Sequence, residues 1–181
     1  MEQKNHVVLV DKDDNEIGIE EKLKAHQLGL LHRAFSVFLF RRKNGEIQVL
    51  LQKRAKEKYH CGGLWANACC SHPAKGENII DAGKRRLKEE MGIEVYTLES
   101  VGSFTYKAEF ANGLTEHEID HVLIGVFDAD VVSFNPNEVE DAKWISLENL
   151  EKEMFQHPDR FVPWLKLALA IIPKEAIMEI V

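Results

Sequence analysis

Along this chain apolar residues fall into short blocks, each with its own period. His6-Val-Val-Leu-Val10 and Ile17-Gly-Ile19 predict two short strands around the turn-prone Asp13-Asp14-Asn15. Ala34-Phe-Ser-Val-Phe-Leu-Phe40 and Ile47-Gln-Val-Leu-Leu51 flank Asn44-Gly45, a strong hairpin signal. Residues 61–77, rich in Gly, Cys, Ser and Pro, predict a long loop, a kind of segment that usually carries function or is disordered. From 78 to 91 the spacing is helical, with Ile80, Leu87 and Met91 apolar and Gly92 placed to stop it. Strand-like sequence returns over 95–110, Asn112-Gly113 turns the chain, and 114–127 runs back. Trp144-Ile145 predicts a last strand. Residues 147–155 and 164–172 read as helices, with Pro163 able to start the second and Pro173 able to end it. No repeat, linker or low-complexity tract interrupts this order. The expected fold is one α+β domain over residues 1–181, a mixed sheet with helices.

The length of 181 residues suits one domain with a sizeable core, and 45% hydrophobic with 29% charged residues is ordinary for a soluble protein. A net charge of -7 argues against nonspecific nucleic-acid binding. An anionic substrate would need a local basic patch or a bridging metal. The polar start resembles no signal peptide, and no apolar run approaches the roughly 18 residues of a membrane span. Three cysteines, two of them adjacent, make a poor disulfide framework, so a reducing, cytoplasmic setting is expected. Nothing calls for an obligate protein partner.

The chemistry gathers around Cys70 and Glu118. The first lies in Trp65-Ala-Asn67-Ala-Cys69-Cys70-Ser71-His72-Pro73 and the second in Thr115-Glu116-His117-Glu118. His117-Glu118-Ile-Asp-His121 matches the H-E-x-x-H string of zinc proteases, which works only on a helix. Here it follows an Asn-Gly turn and runs into Val-Leu-Ile-Gly-Val-Phe, a strand. On a strand the two histidines stand roughly 13 Å apart, at about 3.3 Å per residue, beyond the reach of one ion. The same geometry puts Glu116 and Glu118 on one face, with Cα atoms roughly 7 Å apart. Alone, two such acids read as a solvated strand face; His26, His32 and His72 reverse that preference. These three histidines sit in loop-like sequence, and singly each reads as a surface or hydrogen-bonded residue. Imidazoles with carboxylates suit zinc, manganese or iron, and magnesium where oxygens dominate. Lys84, Arg85, Arg86, Glu89 and Glu90 read first as an exposed helix face laced by Arg–Glu pairs. Lys22, Arg54 and Lys58 are unremarkable singly, yet phosphate recognition needs such cations. Either cysteine reads as a buried structural thiol by default, and Trp164 as core.

Taken together these stretches resemble type I isopentenyl-diphosphate isomerases, members of the Nudix fold superfamily. The resemblance is carried by Glu21-Lys22, His26, Leu31-His32-Arg-Ala-Phe-Ser36, Gln52-Lys-Arg54 and Trp65-Ala-Asn67-Ala-Cys69-Cys70-Ser71-His72-Pro73. It continues through Arg85-Arg86-Leu-Lys-Glu89-Glu90-Met-Gly92, Tyr106, Glu116-His-Glu118 and Pro163-Trp164. Cys-Ser-His-Pro combined with Glu-His-Glu is the specific part. The stretch Tyr59-His-Cys-Gly-Gly63 falls outside it.

The resemblance implies a Nudix-like mixed β-sheet sandwiched by helices. It implies a divalent metal, Mn2+, Zn2+ or Mg2+, held by His26, His32, His72, Glu116 and Glu118. The same likeness makes Cys70 and Glu118 catalytic, with Tyr106 and Trp164 lining the isoprenyl pocket. Lys22, Arg54, Lys58, Ser71 and Arg86 would hold an isoprenyl diphosphate whose Mg2+ is bound through Glu90. The implied reaction moves the double bond of isopentenyl diphosphate through a tertiary carbocation. It needs an acid and a base, and the two roles are not divided between Cys70 and Glu118. Nudix hydrolases carry Arg-Glu before the paired glutamates where this chain has Arg85-Arg86, and Ser71 stands at the box's leading glycine. That departure favours isomerisation. The rivals are a Nudix-type diphosphate hydrolase and a non-catalytic metal- or ligand-binding module.

Overall fold

The structure is a computed structural model described over residues 5–58, 60–130 and 133–181. Tyr59, the first residue of the unmatched 59–63 stretch, lies outside the described residues. Strands β1 (His6–Val10) and β2 (Glu16–Glu21) form an antiparallel hairpin, followed by helix α1 (Lys22–Leu28). Strands β3 (His32–Lys43) and β4 (Glu46–Arg54) form the second hairpin. Its turn is Asn44-Gly45, with φ of 53° and 78°, the paired left-handed conformation that Asn-Gly tolerates best.

β3 organises the sheet. Along one edge it pairs in parallel with β8 (Thr115–Val126), and β8 pairs antiparallel with β7 (Glu99–Glu109). β1, β4 and the short β6 (Cys69–Ser71) all pair with β3 antiparallel. β4 in turn pairs with β5 (Trp65–Asn67) and with β9 (Val139–Ser146). Helix α2 (Ile79–Met91) packs Ala82, Leu87 and Met91 against Phe35, Val37, Leu39 and Leu123. Helices α3 (Leu147–Gln156), α4 (Leu165–Ile171) and α5 (Lys174–Ile180) cover the other face, where Leu150, Leu165, Ala168 and Ile177 meet Phe38, Phe40, Val122 and Ile124. Burial on both faces explains why residues 34–40 are almost continuously apolar rather than alternating. Among the described residues, no helix is long and apolar enough to cross a membrane.

Three expectations change. The loop expected over 61–77 contains β5 and β6. Each is three residues long, too short for any period, and each exists because β4 or β3 offers an open hydrogen-bonding edge. The loop-like histidines are also better placed than expected, with His26 on α1 and His32 opening β3. α1 escaped prediction because it has only seven residues. Glu21 caps it by accepting from Leu23 N (3.2 Å) and Lys24 N (3.1 Å), and Gly29 ends it in the left-handed region. Finally, β7 starts at Glu99 rather than 95, and Pro173 both follows α4 and caps α5, a helix not foreseen.

Gly125 marks where this packing has no slack. A Cβ there would stand 2.9 Å from Thr97 O and 2.8 Å from Leu98 Cδ2. Gly125→Ala is therefore expected to lose about 1–3 kcal/mol of stability, the usual cost of overpacking, read as a lower urea midpoint at unchanged slope. An unchanged midpoint would show that β8 yields there.

Candidate active site

Strand register assembles the centre. In the parallel β3–β8 pair His32 lies opposite Glu118, and in the β7–β8 pair Tyr106 lies opposite Glu118 on the other side. β6 brings Cys70 opposite Ser36 and Ser71 opposite Phe35. Alternation along β8 turns Glu116, Glu118 and Asp120 into the protein, all buried. His117 and His121 do not join them. His117 Nδ1 meets Gly29 O at 3.0 Å and His121 Nε2 meets Asp14 Oδ2 at 2.8 Å, so the H-E-x-x-H string builds no zinc site.

One ligand atom from each of His26, His32, His72 and Glu118 lies within 4.8 Å of every other. Donors around one ion at about 2.0–2.2 Å stand about 3–4 Å apart, so the group needs only a small contraction. The tautomers suit this use. His26 Nδ1 donates to Lys22 O (2.6 Å) and His32 Nδ1 to Leu30 O (2.8 Å); a carbonyl can only accept, so Nε2 keeps the lone pair on each ring. His32 Nε2 is buried without a hydrogen-bond partner, although Glu118 Oε1 stands 3.4 Å away. Glu118 Oε1 lies 3.0 Å from His72 Nε2. Burial pulls His26 down to about 4 and His72 down to about 3, keeping both in the neutral, ligating form. At His32 burial also disfavours the charge, but the Glu118 carboxylate outweighs it and raises the pKa. Glu118 itself is pushed up by burial and held well below the usual range by His32 and His72. The donor set fits a divalent ion. Glu116 stands outside the four-residue group: its Oε1 is 2.5 Å from His60 Nε2, while its Oε2 is buried with no hydrogen-bond partner.

Cys70 lies beside this centre. Its thiol donates to Asn67 Oδ1 (2.9 Å) and accepts from Trp164 Nε1 (3.1 Å), and Ser36 Oγ is 3.7 Å away. Burial and the neighbouring Asp120 push the thiol up to about 12, so at neutral pH it carries its proton. Asp120 is itself held well above the usual carboxyl range by burial and by Glu118, and accepts from Ser36 Oγ at 2.7 Å. Cys69 points the other way, into the apolar cluster with Leu87 and Met91. Tyr106 is buried, its ring 6.3 Å from that of Trp164 and its hydroxyl without a hydrogen-bond partner. Cys70, Glu118, Glu116, His72 and Trp164 line one narrow cavity.

A larger cavity of about 620 Å³ shares Lys22, Lys58, Ser71, His72 and Arg86 with the narrow one. Burial and the neighbouring Lys58, Arg86 and Arg54 lower Lys22 to about 8, with Glu138 opposing the fall. Arg86 donates to Ser71 Oγ (3.0 Å), Glu89 (2.6 Å) and Glu90 (2.6 Å). Arg85, its neighbour, is clamped by Glu77 through two hydrogen bonds of 2.7 and 2.9 Å. Arg54 lies deeper, its guanidinium 5.5 Å from the Trp164 ring. Glu90 is buried and also accepts from Gln52 Nε2 at 3.0 Å. Four residues of this region were not anticipated: His60, Asn67, Asp120 and Glu138, the last paired with Lys58 and 3.6 Å from Arg86. Asp120 was within reach, being two residues beyond Glu118 on the same strand face. His60 and Asn67 depend on long-range folding.

The arrangement is that of a Nudix domain, and the family model described as NUDIX domain matches residues 30–165. Two solved structures share the fold. One is DR0079 from Deinococcus radiodurans, with a TM-score of 0.69 at 19% identity, covering 93% of this chain and 99% of that one. The other is a MutT NUDIX hydrolase from Burkholderia pseudomallei, with a TM-score of 0.60 at 19% identity, covering 79% and 98%. Curated relatives narrow the class. Proteins named isopentenyl-diphosphate Delta-isomerase match from Pectobacterium atrosepticum, 47% identical over 92% of this chain and 90% of that protein, and from Photobacterium profundum, 45% identical over 93% and 94%. A third, from Aliivibrio fischeri strain ATCC 700601 / ES114, is 49% identical over 88% and 90%. The chain belongs to the Nudix family and, within it, to the isopentenyl-diphosphate Delta-isomerases.

A ligand that binds only the folded state stabilises it by mass action, by about 2.7 kcal/mol at a hundredfold excess over Kd, and so raises the melting temperature. Adding Mn2+ to metal-stripped protein is expected to raise Tm, and His32→Ala to erase most of that rise. Equal shifts in both proteins would place the ion elsewhere.

Proposed function

We propose that this chain isomerises isopentenyl diphosphate to dimethylallyl diphosphate as one domain spanning residues 1–181, with Cys70 and Glu118 as the proton-handling pair. The observation that carries this reading is the pairing of a proton-bearing thiol with an ionised carboxylate on the walls of one narrow, tryptophan-lined cavity. That cavity opens on cations suited to a diphosphate. The isomerisation adds a proton to the terminal alkene carbon, giving a tertiary carbocation, and removes a proton from the CH2 on the other side of the cationic carbon, so that the double bond moves by one position. Cys70 and Glu118 supply acid and base, each worth about 10²–10⁴ in rate. Tyr106, opposite Glu118 in the sheet, or a water stands ready as a relay. Trp164 faces the cationic intermediate, contributing roughly 0.5–2 kcal/mol. Burial of Glu116, Glu118, Asp120 and Trp164 at the inner end of the pocket would limit the water able to trap the cation.

Lys22, Arg54, Lys58, Ser71 and Arg86 hold the diphosphate in this reading. A divalent ion, Mn2+, Zn2+ or Mg2+, would be held by His26, His32, His72 and Glu118, with Glu116 as the fifth ligand. When bound it supplies positive charge that fixes Glu118 in its ionised form. Mg2+ accompanying the substrate, held through Glu90, would neutralise the diphosphate in an otherwise acidic protein. Thiols Cys61, Cys69 and Cys70 are all free, in keeping with a cytoplasmic setting. The hydrolase reading is disfavoured by Arg86, a guanidinium where those enzymes use a magnesium-binding carboxylate.

Incubation with isopentenyl diphosphate in D₂O tests the reaction: deuterium should enter carbon with no phosphate released. Cys70→Ala should abolish the exchange while Cys69→Ala retains most of it. Steady hydrolysis of nucleoside diphosphate derivatives with an inert isopentenyl diphosphate would defeat the proposal, and the reverse cysteine pattern would shift the thiol assignment by one residue.

Arg86→Ala should raise KM about 10- to 100-fold, from the roughly 1.5–3 kcal/mol of a charged hydrogen bond, with a smaller fall in kcat. A fall in kcat at unchanged KM would mean that Arg86 acts only on the transition state.

A further inference from the structure

His60 belongs to the stretch that the sequence left unexplained, yet it is buried at the heart of the site. Its Nε2 stands 2.5 Å from Glu116 Oε1. Its ring stacks on Phe110 at 5.3 Å and on His26 at 5.9 Å, with the Trp164 ring edge-on at 6.3 Å. The loop is shaped to deliver it there. Arg54 Nη2 donates to His60 O at 3.4 Å, and Cys61 takes a φ of 53°, a conformation that non-glycine residues rarely adopt. The next residue, Gly62, passes so close to Lys56 that a Cβ would stand 2.4 Å from its carbonyl oxygen.

The consequence falls on Glu116. A carboxylate has two equivalent oxygens and rotates freely between them. With Oε1 bound to His60, the rotation is stopped and Oε2 is left buried with no hydrogen-bond partner, on a residue that lines the same cavity as Glu118 and His72. A buried carboxylate oxygen with no partner is costly, and a cation is what satisfies it.

We propose that His60 is a positioning residue of the metal centre: it grips one oxygen of Glu116 so that the other is presented to the ion. The proposal rests on the metal-dependent reading above. It adds a residue of the 59–63 stretch to the site and gives Glu116 a role distinct from that of Glu118, which meets two imidazoles directly. Hydrogen-bond partners of ligating groups typically set metal affinity within a factor of about 10–100.

Two substitutions separate this role from packing. His60→Phe keeps the ring against Phe110 and removes the hydrogen bond; His60→Gln removes the ring and keeps a donor near the Nε2 position. In Mn2+ titrations of metal-stripped protein, followed by electron paramagnetic resonance, His60→Phe should bind about 10- to 100-fold more weakly than wild type. His60→Gln should stay within a few-fold. Packing alone predicts the opposite order, and that order would overturn the proposal, as would unchanged affinity in both variants. Should His60→Phe fail to fold, ¹⁵N nuclear magnetic resonance of the wild-type protein with Zn2+ decides. His60 Nε2 should keep its proton on Zn2+ binding, and loss of that proton to the metal would make His60 a ligand and sink the positioning role. Wild-type protein that binds neither ion would instead defeat the metal-centre reading itself.

Discussion

The parallel pairing of β3 with β8 is the constraint on which the site depends. Its register sets His32 against Glu118 and runs on without interruption to Phe40 against Val126. The apolar half of this ladder is buried on both faces and fixes the register, because a slip by one residue would move every side chain to the opposite face and out of the core it packs in. The polar half inherits that register. Glu116, Glu118 and Asp120 face inward because Val122 and Ile124, further along the same face, pack against the helices. Core packing at one end of the strands thus aims the carboxylates at the other. Loops and helices then bring their own donors to a fixed row: His26 from α1, His72 from just beyond β6, and His60 from the turn after β4.

Electrostatics explains why so many titratable groups tolerate burial here. Three carboxyls on one strand face repel one another, and the protein answers each differently. Glu118 is stabilised as an anion by two imidazoles. Glu116 is raised by burial and by Glu118 while His60 opposes the rise. Asp120 is raised furthest from the anionic form and takes its hydrogen bond from Ser36. Across the pocket the situation is inverted, with Lys22, Lys58, Arg54 and Arg86 crowded in a protein whose net charge is -7. Glu138 pairs with Lys58, and Glu89 and Glu90 pair with Arg86. A protein acidic overall therefore presents a local cationic mouth, which is where an anionic substrate needs it.

How much of this was legible in the sequence follows from the range of the interactions involved. The β3–β4 hairpin at Asn44-Gly45, strand β8 and the helix ending at Gly92 are written in local periods and turn residues, and they appear where expected, while β7 starts four residues late. The inward face shared by Glu116 and Glu118 was equally legible, since it needs only the two-residue period of a strand. β5 and β6 were not, because three residues hold no period and their pairing partners lie 12 to 36 positions away. α1 was missed because seven residues span only two turns. Convergence of His26, His32 and His72 was suggested by likeness alone; no spacing in the chain encodes it. His60 had neither a local pattern nor a counterpart in the resemblance, and only the folded loop shows where its ring lies.

Burial and two hydrogen bonds tie the Cys70 thiol to one protonation state. An exposed cysteine near its ordinary pKa of about 8.5 would be partly thiolate at neutrality, a nucleophile liable to attack an electrophilic intermediate. Burial raises Cys70 until it is a neutral proton carrier, and Asn67 fixes the direction of its proton. The carboxamide has no choice of orientation, because its Nδ2 donates to Val37 O (3.0 Å) and Cys69 O (2.9 Å), leaving Oδ1 to the thiol. Trp164 Nε1 points to the same sulfur and holds the indole face at the pocket. In the proposed reaction, the burial that keeps the thiol protonated would also limit the water able to reach a carbocation. One pocket wall on this Nudix fold thus sets both the protonation of the thiol and the direction of its proton.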